Sequence, residues 1–235
     1  MPQLVLLRHG QSQWNLEDRF TGWVDVDLTP AGEAEARKGG DLIAAAGIEF
    51  TRAYSSVLMR AIRTGEFALQ HAGQLWIPMV KDWRLNERHY GGLTGLNKTE
   101  TRNKHGEEQF MLWRRSYDVP PPPMAKDSPF DFSKDRRYAG QTLPDTESLK
   151  TTLLRVLPYW SSEIAPKLAQ GETLMVAAHG NSLRAIVKHL FSVSDEEIVG
   201  VEIPTGNPLL IELDGALNPT SAHYLDEGRA TRLPG

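Results

Sequence analysis

Two short apolar segments, each ending in a His-Gly pair, constrain this chain most strongly. Leu4–Leu7 leads into Arg8-His9-Gly10, and Thr173–Ala178 leads into His179-Gly180. Short uninterrupted apolar runs are typical of strands buried in a parallel sheet. Ligands bind at the carboxyl ends of such strands, so we expect both histidines at one edge of the sheet. The repeated arrangement predicts a shared functional site.

Helical patterns alternate with the strand candidates and predict an α/β protein. Thr29-Pro30 supplies an N-cap and a first-turn proline for a helix that Gly47 ends. The other strand candidates are Arg52–Ser55, the weakly patterned Lys81–Trp83, and Leu209–Leu213. The other helix candidates are Val57–His71, Lys98–Arg115 broken near Gly106, 149–168 kinked at Pro158, and Asn181–Leu190. We therefore expect a three-layer sandwich with a mostly parallel central sheet flanked by helices.

The domain organisation follows from the absence of repeats and linkers. No linker divides the 235 residues, so we expect a single domain over 1–235. An insertion around 97–141 contains the proline run Pro120–Pro123, which favours an extended conformation. The tail, 218–235, is weakly patterned, as is typical of a mobile segment.

Composition excludes several classes of site and partner. The chain has no cysteine, so it can form no disulfide, thiolate zinc site or iron–sulfur cluster, and it has no cysteine nucleophile. Its net charge of −4 argues against general nucleic-acid binding, which needs a basic face. The apolar runs are far shorter than the roughly 20 residues of a membrane span, and the first residues do not resemble a signal peptide. We expect a cytoplasmic protein with no membrane partner.

The residues around His9 suit phosphoryl chemistry. A neutral imidazole can attack a phosphoryl group, and the planar fork of Arg8 suits a phosphate. A structural interpretation is also open, in which His9 only bonds a backbone carbonyl and Arg8 is a surface charge. His179 favours the functional interpretation, because it lies just before a predicted helix N-terminus, where anions are stabilised. A metal site is a further alternative, but no carboxylate cluster accompanies either histidine in the sequence.

Longer motifs around these residues resemble the phosphoglycerate mutase branch of the histidine phosphatase superfamily. The first is Leu6–Asn15, and the likeness extends from about Leu4 to Leu213. The other matching segments are Phe20–Asp25, Ser55–Ala61, Leu85–Gly91, Gly95–Lys98, Trp113–Arg115 and Ala178–Arg184. The stretch from Asn86 to Arg115 is similar to the 2,3-bisphosphoglycerate-dependent phosphoglycerate mutases. The resemblance implies the mutase-like form of the α/β sandwich.

The resemblance also implies roles for individual residues. His9 resembles the nucleophile that carries the phosphoryl group, Glu87 the general acid/base, and His179 the histidine that stabilises charge on the transferring group. The residues implied around that group are Arg8, Asn15, Arg60, Gly180 and Asn181, with Ser12, Thr21 and Gly22 lining the pocket. The outer set, implied to hold the carboxylate and second phosphate of the substrate, is Arg88, Tyr90, Lys98, Arg114 and Arg115. Gln13 departs from the family pattern, because many relatives have an acid there.

The implied activity is that of an isomerase, an intramolecular phosphotransferase of glycolysis and gluconeogenesis. It interconverts 3-phosphoglycerate and 2-phosphoglycerate, is primed by 2,3-bisphosphoglycerate, and needs no metal. Relatives commonly form homodimers or homotetramers, so we expect one of these.

Two other functions remain open from the sequence. One is a histidine phosphatase that passes the phosphoryl group to water, although the basic residues from Arg88 to Arg115 favour the mutase. The other is a phosphate-ligand sensor or scaffold without catalysis. The presence of His9, Glu87 and His179 argues against a sensor.

Overall fold

The computed structural model describes residues 1–233, with a mixed six-stranded sheet between two layers of helices. The strands are β1 (Gln3–Arg8), β2 (Arg52–Ser55), β3 (Met79–Lys81), β4 (Leu174–Ala178), β5 (Leu209–Leu213) and β6 (Pro219–Tyr224). Their order is β3-β2-β4-β1-β5-β6, in which β1 to β4 pair in parallel. β5 is antiparallel to β1, and β6 is antiparallel to β5. The predicted α/β class with a mostly parallel central sheet is confirmed.

Helices cover both faces of the sheet. They are α1 (Gln13–Leu16), α2 (Pro30–Ala45), α3 (Met59–His71), α4 (Lys98–His105), α5 (Glu107–Arg115), α6 (Leu149–Tyr159), α7 (Ala165–Ala169) and α8 (Gly180–Leu190). Because side chains alternate along a strand, Val5 and Leu7 pack towards α2 and α3, while Leu4 and Leu6 pack towards α6 and α8. Within residues 1–233, no helix is both long and apolar enough to cross a membrane.

The third strand is displaced from its predicted position. The sequence favoured Lys81–Trp83, but β3 ends at Lys81, so that prediction was wrong by two residues. Asp82 accepts a hydrogen bond from the Arg84 N–H at 2.8 Å and caps a 3₁₀ turn over Trp83–Leu85. The turn ends the strand and directs the chain towards the loop that contains Glu87.

The predicted interruption of the 149–168 helix is confirmed next to Pro158. α6 extends to Tyr159, a π-helical turn covers Trp160–Ile164, and α7 follows. Proline lacks the N–H of a regular helix, so Pro158 within α6 and Pro166 at the start of α7 weaken the helical hydrogen bonding on both sides of this turn.

The tail contains a strand that the sequence pattern did not predict. Most side chains of β6 are exposed or half-buried, so its sequence lacks the apolar alternation of a strand with a buried face. β6 is an edge strand, paired only with β5 among the described residues. The predicted mobility of the tail over 218–235 stays a prediction, and its positions 234–235 lie outside the described residues.

The proline run of the insertion packs against the loop that follows Glu87. The Gly92 N–H donates to the Pro122 carbonyl at 2.7 Å. A Cβ atom at Gly91 would lie only 2.2 Å from the same oxygen, and Gly91 has a φ of +54°. Glycine is therefore required at Gly91 for the insertion to approach this closely.

Candidate active site

The sheet topology places the two strand-end histidines side by side. β1 and β4 are central neighbours, with Arg8 in register with Ala178, and the His9 N–H donates to the Ala178 carbonyl at 3.0 Å. The two imidazole rings meet edge to face with centroids 5.0 Å apart. The carboxyl ends of the two strands thus bring together residues from opposite ends of the sequence.

The backbone after His9 is pressed against the first turn of α2. A Cβ atom at Gly10 would lie 2.1 Å from the Gly32 carbonyl oxygen, and one at Gly32 would lie 2.0 Å from the Gln11 carbonyl oxygen. The Gly10 N–H donates to the Thr64 hydroxyl at 3.1 Å. This contact fixes the loop that presents His9.

The hydrogen bonds of His9 define its reactive nitrogen. Nδ1 lies 2.7 Å from the Gly10 carbonyl oxygen, which can only accept, so Nδ1 carries the proton. Nε2 therefore holds the lone pair and accepts a hydrogen bond from the Arg60 Nε at 3.4 Å. A nucleophilic nitrogen is held beside a cation at the end of β1.

His179 is fully buried and anchored by a residue that had no predicted role. Its Nε2 lies 2.7 Å from the Ser56 hydroxyl, and that hydroxyl also accepts from the Leu58 N–H at the start of α3. The Nδ1 of His179 has no hydrogen-bond partner among residues 1–233. This atom can donate to a phosphoryl oxygen when it carries a proton.

Both rings are held neutral. Burial lowers the pKa of His9 well below its usual 6.5, and the charges of Arg60 and Arg8 lower it further. Burial also lowers the pKa of His179 well below the usual value, followed by the charge of Arg60. Neutral His9 is the form that can act as a nucleophile.

Acid is expected to destabilise the fold through these two rings. Their pKa values are depressed in the folded protein, so the unfolded chain binds more protons below about pH 6.5. The stability that neutral rings contribute is present above that pH and is lost as the pH falls, at about 1.4 kcal/mol per pH unit for each ring. Melting temperatures measured from pH 7.5 to 5.5 should show this fall.

Variants separate these two rings from the rest of the chain, in which His89 is a third buried ring whose pKa burial lowers to about 4. His9→Gln and His179→Gln should each flatten the fall in melting temperature, whereas His223→Gln, which alters an exposed ring on β6, should not. An unchanged slope in both buried-ring variants would refute the argument.

Arg60 lies under the predicted phosphoryl site and is held by backbone carbonyls. Nη1 donates to the Val24 carbonyl at 2.9 Å and Nη2 to the Gly22 carbonyl at 2.7 Å. Burial lowers the pKa of Arg60 to about 10, so it stays charged at neutral pH. The predicted pocket residue Gly22 therefore contributes by orienting Arg60.

Glu87 reaches the same edge from the loop after the 3₁₀ turn. Its Oε1 accepts from the backbone N–H groups of Arg88 at 2.7 Å and Asn181 at 3.2 Å. Its Oε2 lies 3.7 Å from where a Cβ would stand on Gly180, the residue after His179. The carboxyl group is thus tied to the first turn of α8.

A cavity of about 80 Å³ opens beside these groups. The predicted residues on its wall are Arg8, Glu87, Tyr90, Arg114, Arg115, Gly180 and Asn181. The histidine rings are not part of the described wall, but their chain neighbours Arg8 and Gly180 are. Arg88 is buried next to the cavity, with its guanidinium 4.7 Å from the Tyr90 ring centre and Nη2 donating to the Arg114 carbonyl at 3.2 Å.

Like Gly22, Arg60 and Arg88, four further predicted residues are absent from the described cavity wall and have other environments. Ser12 and Asn15 bond each other as the capping box of α1, with the Ser12 hydroxyl 2.9 Å from Asn15 Oδ1. Lys98 pairs with Asp18 at 3.6 Å, and burial lowers its pKa. Thr21 is buried, and its hydroxyl has no partner within the described chain.

Sequence reasoning missed three residues around the cavity besides Ser56. Arg184 lines it and donates to Asn181 Oδ1 at 2.9 Å, while burial lowers its pKa to about 10. Glu202 and Ile203 line it from the segment before β5, where the Ile203 carbonyl accepts from Arg8 Nη1 at 2.7 Å. Ser56 and Arg184 lie inside motifs that were recognised. The packing of residues 202–203 against the cavity leaves no signal in the sequence.

Unsatisfied donors around the cavity fit a small polyanion. Arg8 Nε, Arg88 Nε and Nη1, and Arg184 Nε are buried and have no hydrogen-bond partner in the described structure. Such groups are normally paired, so a ligand with several anionic oxygens suits them. Over residues 1–233, no group of three or more His, Asp or Glu side chains is placed to hold a metal ion.

Comparison with known families identifies the chain. The model of the histidine phosphatase superfamily (branch 1) matches residues 4–218. A 2,3-bisphosphoglycerate-dependent phosphoglycerate mutase of Caulobacter sp. (strain K31) is 73% identical over 234 residues, covering 100% of this chain and 99% of the relative. The chain belongs to the 2,3-bisphosphoglycerate-dependent phosphoglycerate mutases of this superfamily. A mutase of the same name from Hyphomonas neptunium is 63% identical, with 100% and 99% covered.

Solved structures share the mutase-like fold. Bacillus stearothermophilus YhfR superposes with a TM-score of 0.72 at 25% identity and covers 98% of each chain. A mycobacterial glucosyl-3-phosphoglycerate phosphatase superposes with a TM-score of 0.70 at 20% identity, covering 90% of this chain and 93% of the other. These structural likenesses show the fold. The narrower assignment to the phosphoglycerate mutases rests on the relatives of high sequence identity.

Proposed function

We propose that this isomerase interconverts 3-phosphoglycerate and 2-phosphoglycerate through a phosphohistidine at His9. The observation that carries the proposal is the lone pair of His9 Nε2, in the residue that follows Arg8, because Arg8 lines a cavity together with three other arginines. The full-length likeness to named mutases supports the same reaction. 2,3-Bisphosphoglycerate supplies the phosphoryl group that first loads His9.

In the first half-reaction His9 gives up its phosphoryl group. The bond from Nε2 to phosphorus breaks as the C2 hydroxyl oxygen of 3-phosphoglycerate bonds to phosphorus. Glu87 takes the hydroxyl proton, and the charge on the transferring oxygens is stabilised by Arg8, Arg60 and the Nδ1 side of His179. The product is a bisphosphorylated ligand held in the cavity.

In the second half-reaction His9 takes back the other phosphate. The ligand reorients so that its C3 phosphate faces Nε2, which attacks phosphorus while Glu87 returns the proton to the leaving C3 oxygen. We propose that Arg88, Tyr90, Arg114, Arg115 and Asn181 retain the ligand through its carboxylate and second phosphate. Because arginines and a histidine stabilise the charge, no step requires a metal ion.

A mutase assay coupled to detection of 2-phosphoglycerate tests this function. With EDTA present throughout, catalytic amounts of 2,3-bisphosphoglycerate should stimulate interconversion of the two monophosphates. Release of inorganic phosphate as the main product would favour a phosphatase instead. Activity that collapses in EDTA and returns with a divalent ion would contradict the metal-independent mechanism.

Glu202 is expected to weaken anion binding. It lies on the cavity wall, is paired with Arg115 at 3.6 Å, and its side chain is 54% exposed. Exposed ion pairs contribute about 1 kcal/mol or less, so Glu202→Gln should lower the KM for 3-phosphoglycerate by about two- to fivefold at low salt. Glu197→Gln, an exposed acid in the preceding 3₁₀ turn, is the control. An unchanged or raised KM for Glu202→Gln would contradict the expectation.

The remaining proposals concern organisation and setting. We infer that residues 1–235 form one domain with an active-site insertion around 97–141, and that the protein acts in the cytoplasm. Family membership supports a homodimer or homotetramer. Light scattering should give the mass of two or four chains, whereas the mass of one chain would contradict this.

A further inference from the structure

A buried ion pair lies behind the Glu87 loop and takes no part in the steps above. Arg155 on α6 and Glu147 have side chains only 6% and 2% exposed. The pair is bidentate, with Arg155 Nε donating to Oε1 at 2.7 Å and Nη2 donating to Oε2 at 2.8 Å. Buried ion pairs seldom add net stability over apolar residues, because both charges lose their hydration. Net stability therefore does not account for this pair.

Arg155 directs its other donors at the backbone around Glu87. Nη1 donates to the Arg84 carbonyl at 2.7 Å and to the Asn86 carbonyl at 3.3 Å. Nη2 donates to the Glu87 carbonyl at 3.1 Å. Residues 86–90 belong to neither helix nor strand, so their carbonyls have no ladder of backbone partners. The guanidinium of Arg155 supplies hydrogen-bond donors for the Asn86 and Glu87 carbonyls instead.

Glu147 holds the same loop beyond Glu87. Its Oε2 accepts from the His89 N–H at 2.9 Å, and its own N–H donates to the His89 carbonyl at 2.8 Å. The Trp23 indole also donates to the Glu87 carbonyl, at 2.6 Å. The backbone that carries the carboxyl group is thus fixed at Glu87 and two residues later.

We propose that Arg155, held in place by its ion pair with Glu147, is a positioning residue for Glu87. The inference rests on the proposed function, in which Glu87 transfers protons. A lysine keeps the charge but cannot reproduce the fork that bonds Glu147 and four backbone carbonyls together. A shift of about 1 Å in a reacting group can lower a rate about 100-fold, so loss of the fork should act on the chemical step.

The first test compares Arg155→Lys with Arg63→Lys. Arg63 on α3 also bonds two carboxylates, those of Asp27 and Glu33, but lies in the other helical layer. Arg155→Lys should lower kcat by about 30- to 100-fold with KM within about twofold, whereas Arg63→Lys should leave both unchanged. Circular dichroism melts verify that each variant is folded at the assay temperature. A folded Arg155→Lys with unchanged kcat overturns the proposal.

A double variant distinguishes positioning from a general structural effect. In Glu87→Gln, adding Arg155→Lys should lower kcat by less than about threefold, because the group that it positions can no longer transfer a proton. The full additional loss in that background would show that Arg155 acts elsewhere. If Glu87→Gln alone keeps the wild-type rate, the proposed role of Glu87 fails, and this outcome is distinct from the previous one.

Glu147→Gln keeps the test decisive if Arg155→Lys does not fold. The amide preserves the size of the side chain and one acceptor oxygen. The loop therefore keeps its packing but loses the bidentate ion pair between Glu147 and Arg155. We expect kcat to fall about tenfold with KM nearly unchanged. An unchanged kcat in this folded variant also overturns the proposal.

Discussion

Replacing His9 by alanine is expected to abolish both phosphoenzyme formation and mutase turnover. Nε2 is the atom proposed to bond the phosphoryl group. The Gly10 carbonyl accepts from Nδ1 and orients the ring, while Arg60 donates to the lone pair of Nε2. No other ring in the proposed site can replace it, since Nε2 of His179 is engaged by Ser56. Loss of a nucleophile costs more than about 10⁴-fold in rate. Phosphoenzyme formation is measured as acid-labile phosphoprotein after incubation with labelled 2,3-bisphosphoglycerate.

The control for His9→Ala must show an intact cavity. Calorimetry should find that the variant still binds 2,3-bisphosphoglycerate, since the arginines on the cavity wall remain. His105→Ala, an exposed ring on α4, should be phosphorylated like the wild type. A His9→Ala protein with the wild-type mutase rate would refute the nucleophile assignment.

Glu87→Gln should lower kcat by about 10²- to 10⁴-fold, the usual contribution of general acid/base catalysis. The amide oxygen can still accept from the N–H groups of Arg88 and Asn181, so the loop is expected to keep its shape. What the amide cannot do is exchange a proton with the substrate hydroxyl. Steady-state kinetics should show KM within a few-fold of the wild type.

The matched comparison for this variant is Glu35→Gln. Glu35 on α2 also accepts from a backbone N–H, that of Gln11, at 2.8 Å, but it is not part of the described cavity wall. It should retain most of the activity. A kcat for Glu87→Gln within about threefold of the wild type would remove Glu87 from the mechanism.

The sequence predicted the central part of the fold because burial there is nearly complete. β1 and β4 are apolar on both faces, and apolar runs that end in a polar turn leave few other interpretations. β6 was not predicted, since an edge strand with mostly exposed side chains carries no such pattern. The predicted position of β3 was wrong by two residues, because the pattern of three half-buried or exposed residues does not define where a strand ends.

The candidate site was predicted only in part for a similar reason. His9 and His179 follow directly from the strand ends, and the resemblance added Glu87. The position of Glu202 depends instead on how the chain before β5 folds back onto Arg8, which is a long-range contact. Ser12 and Asn15 stay predicted site residues, and the structure adds that each is a hydrogen-bond partner of the other. Sequence patterns identify such residues without giving their bonding partners.

The central position of β1 has a consequence for protein synthesis. Its two neighbours, β4 and β5, come from the last third of the chain, so the emerging polypeptide exposes Leu4–Leu7 without either partner. At about 5–20 residues per second, that interval lasts roughly 10 to 30 s on the ribosome. A nascent chain stopped before Leu174 would lack His179 and keep an unpaired apolar strand. Such fragments should therefore bind chaperones or aggregate, and they cannot form a phosphoryl-transfer site.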